Sequence, residues 1–245
     1  ASLERKRLRD LERLRLLEIE REKRRVELER ERSDRLLLNV LPASIATRLK
    51  QGEQTIADHH AAVTVLFADL VDSIALARVT APAELVALLN DLFSRFDRLA
   101  ATHGLEKIKT IGDSYLAVAG LPLPRADHAM AAAAMGLDMI AAVDQLNRDR
   151  GTHLAVRIGI NSGPVIAGVI GHQKFSYDLW GATVNLAHRM QSSGQPGRVH
   201  LTADTAQLIR AGFVSTAVGL VDCKGLGKVQ SCLLEGRRNS GTGRA

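Results

Sequence analysis

The first 38 residues carry a charged, helical pattern. The segment from Ala1 to about Leu38 consists almost entirely of Leu, Glu, Arg and Lys and contains neither Gly nor Pro, which predicts one long helix. Its apolar positions follow a seven-residue repeat only in pieces. We predict a parallel coiled coil of shifting register over residues 1–38, because the leucines need cover, with a solvated single helix as the alternative.

A change of pattern follows this helix. Asn39-Val40-Leu41-Pro42 interrupts the charges, and a brief amphipathic turn from Ile45 to Lys50 ends before Gly52. We interpret residues 39–57 as a coupling joint between the helix and a globular domain. That domain is predicted to span residues 58–236, and residues 237–245 are predicted to be a disordered tail.

Strand and helix patterns alternate within the globular domain. The predicted order is an apolar strand at 61–68, a helix from about 83 to 102, a hairpin of 106–110 and 114–119, an Ala-rich helix at 127–150, a strand pair of 154–161 and 165–170 turning at Ser162-Gly163-Pro164, a helix beginning near Leu179, a strand near Val199 and a helix from about 203 to 210. This order predicts an α+β fold: a ferredoxin-like βαββαβ core with additional C-terminal strands and a helix, preceded by the long N-terminal helix.

Composition narrows the possible partners and compartments. The net charge is +6 and the pI is near 9.7, but the basic residues are dispersed among acids and aromatic residues make up only 3%. Both features argue against nucleic-acid recognition. The two cysteines, Cys223 and Cys232, have no companions at metal-binding spacing, and no run approaches the roughly 18 apolar residues that cross a bilayer. We expect a cytoplasmic location, either free or as the cytosolic part of a membrane-anchored protein.

The run from Phe175 to Arg189 concentrates ligand-binding chemistry on one short segment. If a helix begins near Leu179, Asn185 and Arg189 stand one turn apart on the same face. Asp178 then lies at the start of that helix, where it can cap the first turn or bind a ligand. A carboxylate, an amide and a guanidinium together suit a ligand with a hydrogen-bonding ring, a sugar and a phosphate.

Two further aspartates follow predicted strands. Asp69 ends the apolar strand Val63-Thr-Val-Leu-Phe-Ala68, and Asp113 lies at the tip of the predicted hairpin. In a ferredoxin-like sheet the first strand is adjacent to that hairpin, so the two carboxylates can converge and hold Mg²⁺ or Mn²⁺ with a nucleotide phosphate. Lys109, four residues before Asp113, placed beside Asp178 would supply one donor and one acceptor for the edge of an adenine.

Three motifs together resemble the catalytic domain of class III nucleotidyl cyclases. They are Phe67-Ala-Asp69, Lys107-Ile-Lys109-Thr-Ile-Gly-Asp113 and Tyr177-Asp178-Leu-Trp-Gly-Ala-Thr-Val-Asn185-Leu-Ala-His-Arg189. They occur in the family's order and at compatible spacing, and the resemblance covers roughly residues 58 to 235. It implies that the chain is an adenylyl cyclase, which converts ATP to 3′,5′-cyclic AMP and pyrophosphate.

The resemblance also implies a role for each matching residue. Asp69 and Asp113 hold two divalent metal ions, Mg²⁺ or Mn²⁺. Lys109 and Asp178 select adenine, where the guanine-selecting pattern of the family is Glu and Cys. Asn185 orients the ribose, and Arg189 stabilises charge in the transition state. Lys224 contacts the terminal phosphates.

Two segments depart from the family pattern. The family's Lys-Gly-Lys-Gly run is Lys224-Gly-Leu226-Gly here, so a solvated loop lysine is an open alternative for Lys224. The Gly-Phe-Thr-like run that follows the first metal-binding aspartate is Asp72-Ser73-Ile74. The added carboxylate of Asp72 either repels nucleotide or joins the surroundings of the metal.

In cyclases of this class the active site lies between two catalytic domains. This chain carries both halves of the residue set, so the resemblance implies a homodimer with two equivalent sites. The N-terminal helix then brings the two domains together and transmits a signal from an upstream sensor or membrane domain. The alternatives are a guanylyl cyclase and a catalytically silent cyclase-like module for dimerisation or signalling.

Overall fold

The N-terminal segment forms two helices. The computed structural model describes residues 2–171 and 175–238, with side chains from residue 13 onward. It divides into two compact units, Ala1–Gln54 and Thr55–Ala245. The first contains α1 (Ser2–Leu38) and α2 (Ala43–Lys50), linked by an ion pair of 2.5 Å between Lys50 Nζ and Asp34 Oδ1. The predicted long helix is confirmed, and its apolar side chains, including Ile19 and Val26, are exposed.

The second unit is built on one sheet. Its helices and strands are β1 (Ala57–Leu70), α3 (Ser73–Val79), α4 (Pro82–His103), β2 (Glu106–Ile111), β3 (Ser114–Ala119), α5 (His128–Arg150), β4 (Val156–Ile170), β5 (Ser176–Trp180), α6 (Ala182–Ser192), β6 (Val199–Thr202), α7 (Ala203–Ile209), β7 (Phe213–Cys223) and β8 (Gly227–Arg237). The strand order is β2-β3-β1-β4-β6-β8-β7, and β5 pairs with β4. The antiparallel order β2-β3-β1-β4 is that of a ferredoxin-like core, so the predicted fold class is confirmed.

The second half of the central strand β1, from Val63 onward, packs against a different layer on each face of the sheet. Leu66 and Ala68 belong to the core cluster that includes residues of α4 and α5. Because side chains alternate along a strand, Phe67 and Asp69 lie on the opposite face. That face carries α6, since the Phe67 ring meets the His188 ring edge-on at a centroid distance of 5.4 Å. Asp69 therefore shares a face with α6.

Among the described helices, α5 is long and apolar enough in composition to cross a membrane. Half of its most apolar window is buried inside the structure. Met135, Met139 and Leu146 of this helix are fully buried in the core cluster. The apolar surface of α5 is thus used in packing the domain.

The predicted hairpin at Ser162-Gly163-Pro164 is wrong. Residues 156–170 form the single strand β4, and both of its halves pair with β1. Proline is tolerated in this central strand because the register shifts there: His60 pairs with Val165 and Val63 with Gly163, so Pro164 faces a bulge in β1. At a bulge the missing N–H of proline breaks no ladder hydrogen bond. The glycines of this segment do not form a turn. They allow other parts of the chain to pack closely against β4.

Gly159 is the clearest case of such an approach. A Cβ atom at this position would lie 2.0 Å from the Gln191 backbone nitrogen and 2.3 Å from the Ala187 carbonyl oxygen of α6. We expect Gly159→Ala to lower the free energy of unfolding by about 3 kcal/mol, because helix backbone cannot move aside as a flexible side chain can. Equilibrium unfolding in urea measures this loss.

The matched control for this substitution is Gly236→Ala in β8, where an added Cβ would meet nothing within 4 Å. We expect a change within about 0.5 kcal/mol for the control. Equal stability losses at the two glycines would contradict the close packing of α6 on β4.

The C-terminal strands extend slightly beyond the predicted domain boundary. Strand β8 ends at Arg237, and the backbone N–H of Arg238 donates to the Gly212 carbonyl at 2.8 Å. The first two residues of the predicted tail are therefore ordered. The rest of that predicted tail, residues 239–245, lies outside the described residues.

Candidate active site

Two carboxylates meet at one end of the sheet. Asp69 lies near the end of β1, directly opposite Ser114, the first residue of β3. Asp113 precedes Ser114 in the turn between β2 and β3. The Ser114 hydroxyl donates a hydrogen bond to Oδ1 of Asp69. Asp69 and Asp113 line the same cleft of about 530 Å³, so the two carboxylates converge as the strand order predicts.

Arg157 is a cleft residue that the sequence reasoning missed. The register places it opposite Asp69 across β1 and β4, and its Nη2 lies 3.4 Å from Asp69 Oδ2. Its Nε is buried and has no hydrogen-bond partner among the described residues. The side chain as a whole is 31% exposed and lines the cleft, so its guanidinium can meet an anionic ligand there. Only the β1–β4 register reveals the contact, because 88 positions separate the two residues.

The donor chemistry of the cleft fits a hard divalent cation. Carboxylate oxygens are the ligands that Mg²⁺ and Mn²⁺ prefer, and Asp69 and Asp113 supply them. Within the described part of the chain, no group of three or more His, Cys, Asp or Glu residues is arranged to hold a metal unaided. Mg²⁺ sites in nucleotide-binding proteins commonly combine one or two carboxylates with substrate phosphates and water. The cleft has the composition of that kind of site.

Lys109 and Asp178 form an ion pair. Lys109 lies on β2 and Asp178 on β5, and the distance between Nζ and Oδ2 is 2.5 Å. The second carboxylate oxygen of Asp178 accepts from the backbone N–H of Leu179 at 2.9 Å. The side chains remain 34% and 23% exposed, so both still reach a ligand. The predicted pairing of one donor group with one acceptor group is present in the structure.

The helix carrying Asn185 and Arg189 begins later than predicted. Residues 176–180 form β5, and α6 begins at Ala182 after Gly181. The predicted position of Asp178 at a helix start is therefore wrong: it lies on a strand and pairs with Gly168. Strand pairing with β4 overrides the short helical pattern.

Asn185 and Arg189 lie one turn apart on α6, as predicted. Both residues are exposed. In the described part of the chain neither side chain has a hydrogen-bond partner. Their polar groups are therefore available to a ligand or to a second chain.

Buried hydrogen bonds fix the start of α6 against β4. The Asn161 amide donates to the Thr183 carbonyl at 3.1 Å, and the Thr183 hydroxyl donates to the Pro164 carbonyl at 2.6 Å. The Thr202 hydroxyl in turn donates to the Asn161 side-chain oxygen at 2.8 Å. Satisfied buried polar networks of this kind hold a helix in one position.

Lys224 is exposed on the turn between β7 and β8. The preceding Cys223 is buried, and burial raises the pKa of its thiol, while the nearby guanidinium of Arg189 acts in the opposite direction. Arg189 therefore lies close to this turn. Neither residue lines the cleft of Asp69 and Asp113, and neither do Lys109, Asp178 or Asn185.

The chain matches a protein family over most of its length. The model of the adenylate and guanylate cyclase catalytic domain matches residues 56–236. The chain belongs to this family of nucleotidyl cyclase domains. It is 45% identical over 214 residues to an adenylate cyclase of Mycobacterium bovis, and the match covers 87% of this chain and 48% of that protein. The chain thus spans about half the length of this curated relative.

Solved structures of the same family share the fold. The guanylate cyclase domain of RhGC from Catenaria anguillulae, in complex with GTP, is 36% identical with a TM-score of 0.71, covering 74% of this chain and 100% of that chain. The catalytic core of a rhodopsin-guanylyl cyclase with converted specificity, in complex with ATPαS, is 38% identical, also with a TM-score of 0.71, and covers 74% and 98%.

Proposed function

We propose that this chain is the catalytic part of an adenylyl cyclase, which converts ATP to 3′,5′-cyclic AMP and pyrophosphate. The observation that favours ATP over GTP as the substrate is the ion pair between Lys109 and Asp178. Adenine presents an amino donor beside a ring-nitrogen acceptor, which a carboxylate and an ammonium complement. The adenylate cyclase from Mycobacterium bovis supports the same assignment.

The chain's own residues each have one task in this reaction. Asp178 accepts from the adenine amino group and Lys109 donates to the ring. Asn185 orients the ribose, because an amide both donates to and accepts from a sugar hydroxyl. Arg189 stabilises the charge that develops on the transferred phosphate, and Lys224 contacts the terminal phosphates.

The cleft lined by Asp69 and Asp113, called here the metal half of the site, holds the triphosphate. Asp69 and Asp113 would hold two divalent ions, Mg²⁺ or Mn²⁺, which when bound neutralise charge on the attacking and leaving oxygens. Arg157, which borders the same cleft and is 31% exposed, donates to the phosphate chain from its guanidinium group. In the reaction the ribose 3′-oxygen bonds to the α-phosphorus, and the bond from the α-phosphorus to the oxygen that bridges to the β-phosphate breaks. Pyrophosphate is the leaving group, and the 3′-hydroxyl proton passes to solvent water.

The active site is completed by a second copy of the chain. The cleft of Asp69 and Asp113 is lined by none of the base-reading, ribose or Arg189 groups. The exposed, unpartnered side chains of Asn185 and Arg189 are therefore assigned to the partner's nucleotide. A symmetric pair of chains gives two equivalent sites.

A cyclase assay tests the proposal directly. ATP and GTP are supplied side by side with Mn²⁺ over a range of protein concentrations. We expect cyclic AMP as the main product and a rate per subunit that rises with concentration as dimers form. Cyclic GMP as the main product would favour a guanylyl cyclase. No product from either nucleotide would favour a silent module for dimerisation or signalling.

The exposed apolar side chains of α1 are assigned to a parallel coiled coil. Deletion of residues 1–38 should weaken dimerisation and lower the activity per subunit on dilution, because the catalytic domains then meet only through their own surfaces. Sedimentation velocity and the dilution series measure both effects. The double substitution Ile19→Asn and Val26→Asn, seven positions apart on one face of the helix, should act in the same direction without shortening the helix. An unchanged rate per subunit on dilution would refute the coiled coil.

The first unit also suggests a place in a longer protein. We propose that residues 39–57 couple α1 to the catalytic domain and pass on a signal from an upstream sensor or membrane domain. The corresponding location is the cytoplasm, either free or on the cytosolic side of a membrane. Nucleic acid is not a proposed partner, because the basic charges interleave with acids.

A further inference from the structure

Asp72 adopts a left-handed backbone conformation, which is unfavourable for most residues other than glycine. It follows β1 by two residues and has φ 55° and ψ 28°. Among the described residues it is the only non-glycine residue with a positive φ. This left-handed conformation is unfavourable for residues with a Cβ atom, although Asp and Asn tolerate it best. The resemblance to cyclases places glycine here, which adopts it freely.

Within the part of the chain that the structure describes, the carboxylate of Asp72 makes no hydrogen bond or ion pair that would stabilise the fold. It occupies the position before α3, yet it makes no side-chain capping hydrogen bond there. It is exposed, and within the described residues it has no ion-pair partner. By contrast, the carboxylate of Asp69 accepts from Ser114 and lies close to Arg157. Helix capping and charge pairing therefore do not account for Asp72.

Asp72 changes the charge of the cleft. It lines the same cleft as Asp69 and Asp113, and the basic residues of that lining are Arg78 and Arg157. Three carboxylates and two guanidinium groups leave one net negative charge. Without Asp72 the cleft would be neutral. A negatively charged cleft attracts divalent cations, and it repels a nucleotide triphosphate to which no divalent cation is bound.

We propose that Asp72 acts through its charge, at a distance, to strengthen divalent-cation binding in the cleft and to make nucleotide binding depend on that cation. This inference rests on the proposed function of the same cleft. It requires no direct coordination by Asp72, in agreement with the lack of a three-residue metal cluster among the described residues. The expected consequence is a steeper requirement for Mg²⁺ or Mn²⁺ than two carboxylates alone would impose.

Two substitutions separate the charge of Asp72 from its backbone. Asp72→Asn removes the charge and keeps a side chain that tolerates the left-handed conformation. Asp72→Gly removes the charge and also relieves the backbone. The matched control is Asp144→Asn, which removes an exposed carboxylate from α5 away from the cleft.

Mn²⁺ binding is read from the electron paramagnetic resonance signal of free Mn²⁺, with the full chain and the unreactive analogue α,β-methylene-ATP. We expect both Asp72 variants to bind Mn²⁺ about fivefold more weakly than the unsubstituted chain, and Asp144→Asn to be unchanged. Binding of the analogue without Mn²⁺ should strengthen in both Asp72 variants. Unchanged Mn²⁺ affinity in Asp72→Asn, or a change in the Gly variant alone, would overturn the role of the charge.

Asp113→Asn separates failure of this inference from failure of the proposed function. If Asp113→Asn abolishes Mn²⁺ binding while Asp72→Asn leaves it intact, only the inference about Asp72 fails. If the unsubstituted chain binds no Mn²⁺, or if Asp113→Asn binds it normally, the metal half of the proposed function fails as well, and the inference fails with it.

Discussion

Replacing either Asp69 or Asp113 by Ala is expected to lower cyclase turnover by at least about 1,000-fold, since in the proposed reaction these carboxylates hold the cations, whose charge stabilises the transition state by several kcal/mol. Arg189→Ala should cause a loss of similar kind, because in the proposed reaction its guanidinium balances charge in the transition state. Initial rates of cyclic AMP formation with saturating Mn²⁺ measure all three. Asp113→Ala and Arg189→Ala should retain the melting temperature of the unsubstituted chain, because neither side chain is buried. Asp69→Ala also removes the acceptor of the Ser114 hydroxyl and the partner of Arg157, so circular dichroism must show that this variant is folded.

Mixing two inactive chains tests the shared site more sharply than either substitution alone. In a heterodimer of Asp69→Ala and Arg189→Ala chains, one site carries both substitutions and the other carries neither. With equal amounts and random pairing, about half of the dimers are heterodimers with one intact site each, which restores about a quarter of the unsubstituted activity. Mixing Asp69→Ala with Asp113→Ala is the matched control, because both substitutions affect the same half.

The control mixture should stay inactive, since its heterodimers have one defective metal half in each site. Absence of rescue in the first mixture, while sedimentation shows that the chains exchange partners, would contradict a site shared between two chains. Equal rescue in both mixtures would contradict the division of the site into a metal half and a base-reading half.

Hydrophobic periodicity predicted most of the fold because each strand and helix in the core has a distinct apolar pattern. The hairpin over 156–170 failed for a specific reason: Ser162-Gly163-Pro164 is a strong local turn signal, but a bulge in β1 accommodates Pro164 within a continuous strand. The early helix start failed similarly, because β5 is a strand through its pairing with β4. In both places a long-range contact outweighed the local signal.

The same distinction holds for the candidate site. Asp69 and Asp113 were found because each follows a predicted strand and the strand order brings them together. The contact between Lys109 and Asp178 was anticipated from their chemistry, 69 positions apart. Arg157 was missed, because a single basic residue at the start of an apolar strand has no meaning until the register places it opposite Asp69.

The ion pair between Lys109 and Asp178 should determine which nucleotide is used. Guanine offers a carbonyl acceptor and a ring N–H donor where adenine offers a donor and an acceptor, so an ATP site needs both partners exchanged to accept GTP. The resemblance to cyclases gives Glu and Cys as the guanine-selecting pair. We expect Lys109→Glu with Asp178→Cys to reduce kcat/KM for ATP about 100-fold, because two base contacts are lost, and to raise kcat/KM for GTP above it.

The double substitution is preferable to either single one, because each single variant leaves one member of a half-buried ion pair without its partner. Lys107→Gln is the matched control on the same strand, since the Lys107 ammonium contacts Asp97 at 2.7 Å instead of Asp178. It should leave the ATP-to-GTP ratio of kcat/KM unchanged. A double variant that still prefers ATP would show that base selection lies outside this pair, even if the chain is a cyclase. A fall in kcat/KM for ATP without a rise in kcat/KM for GTP would show that the pair only holds β2 and β5 together. Recognition of the base by this pair predicts instead that the preference changes from ATP to GTP.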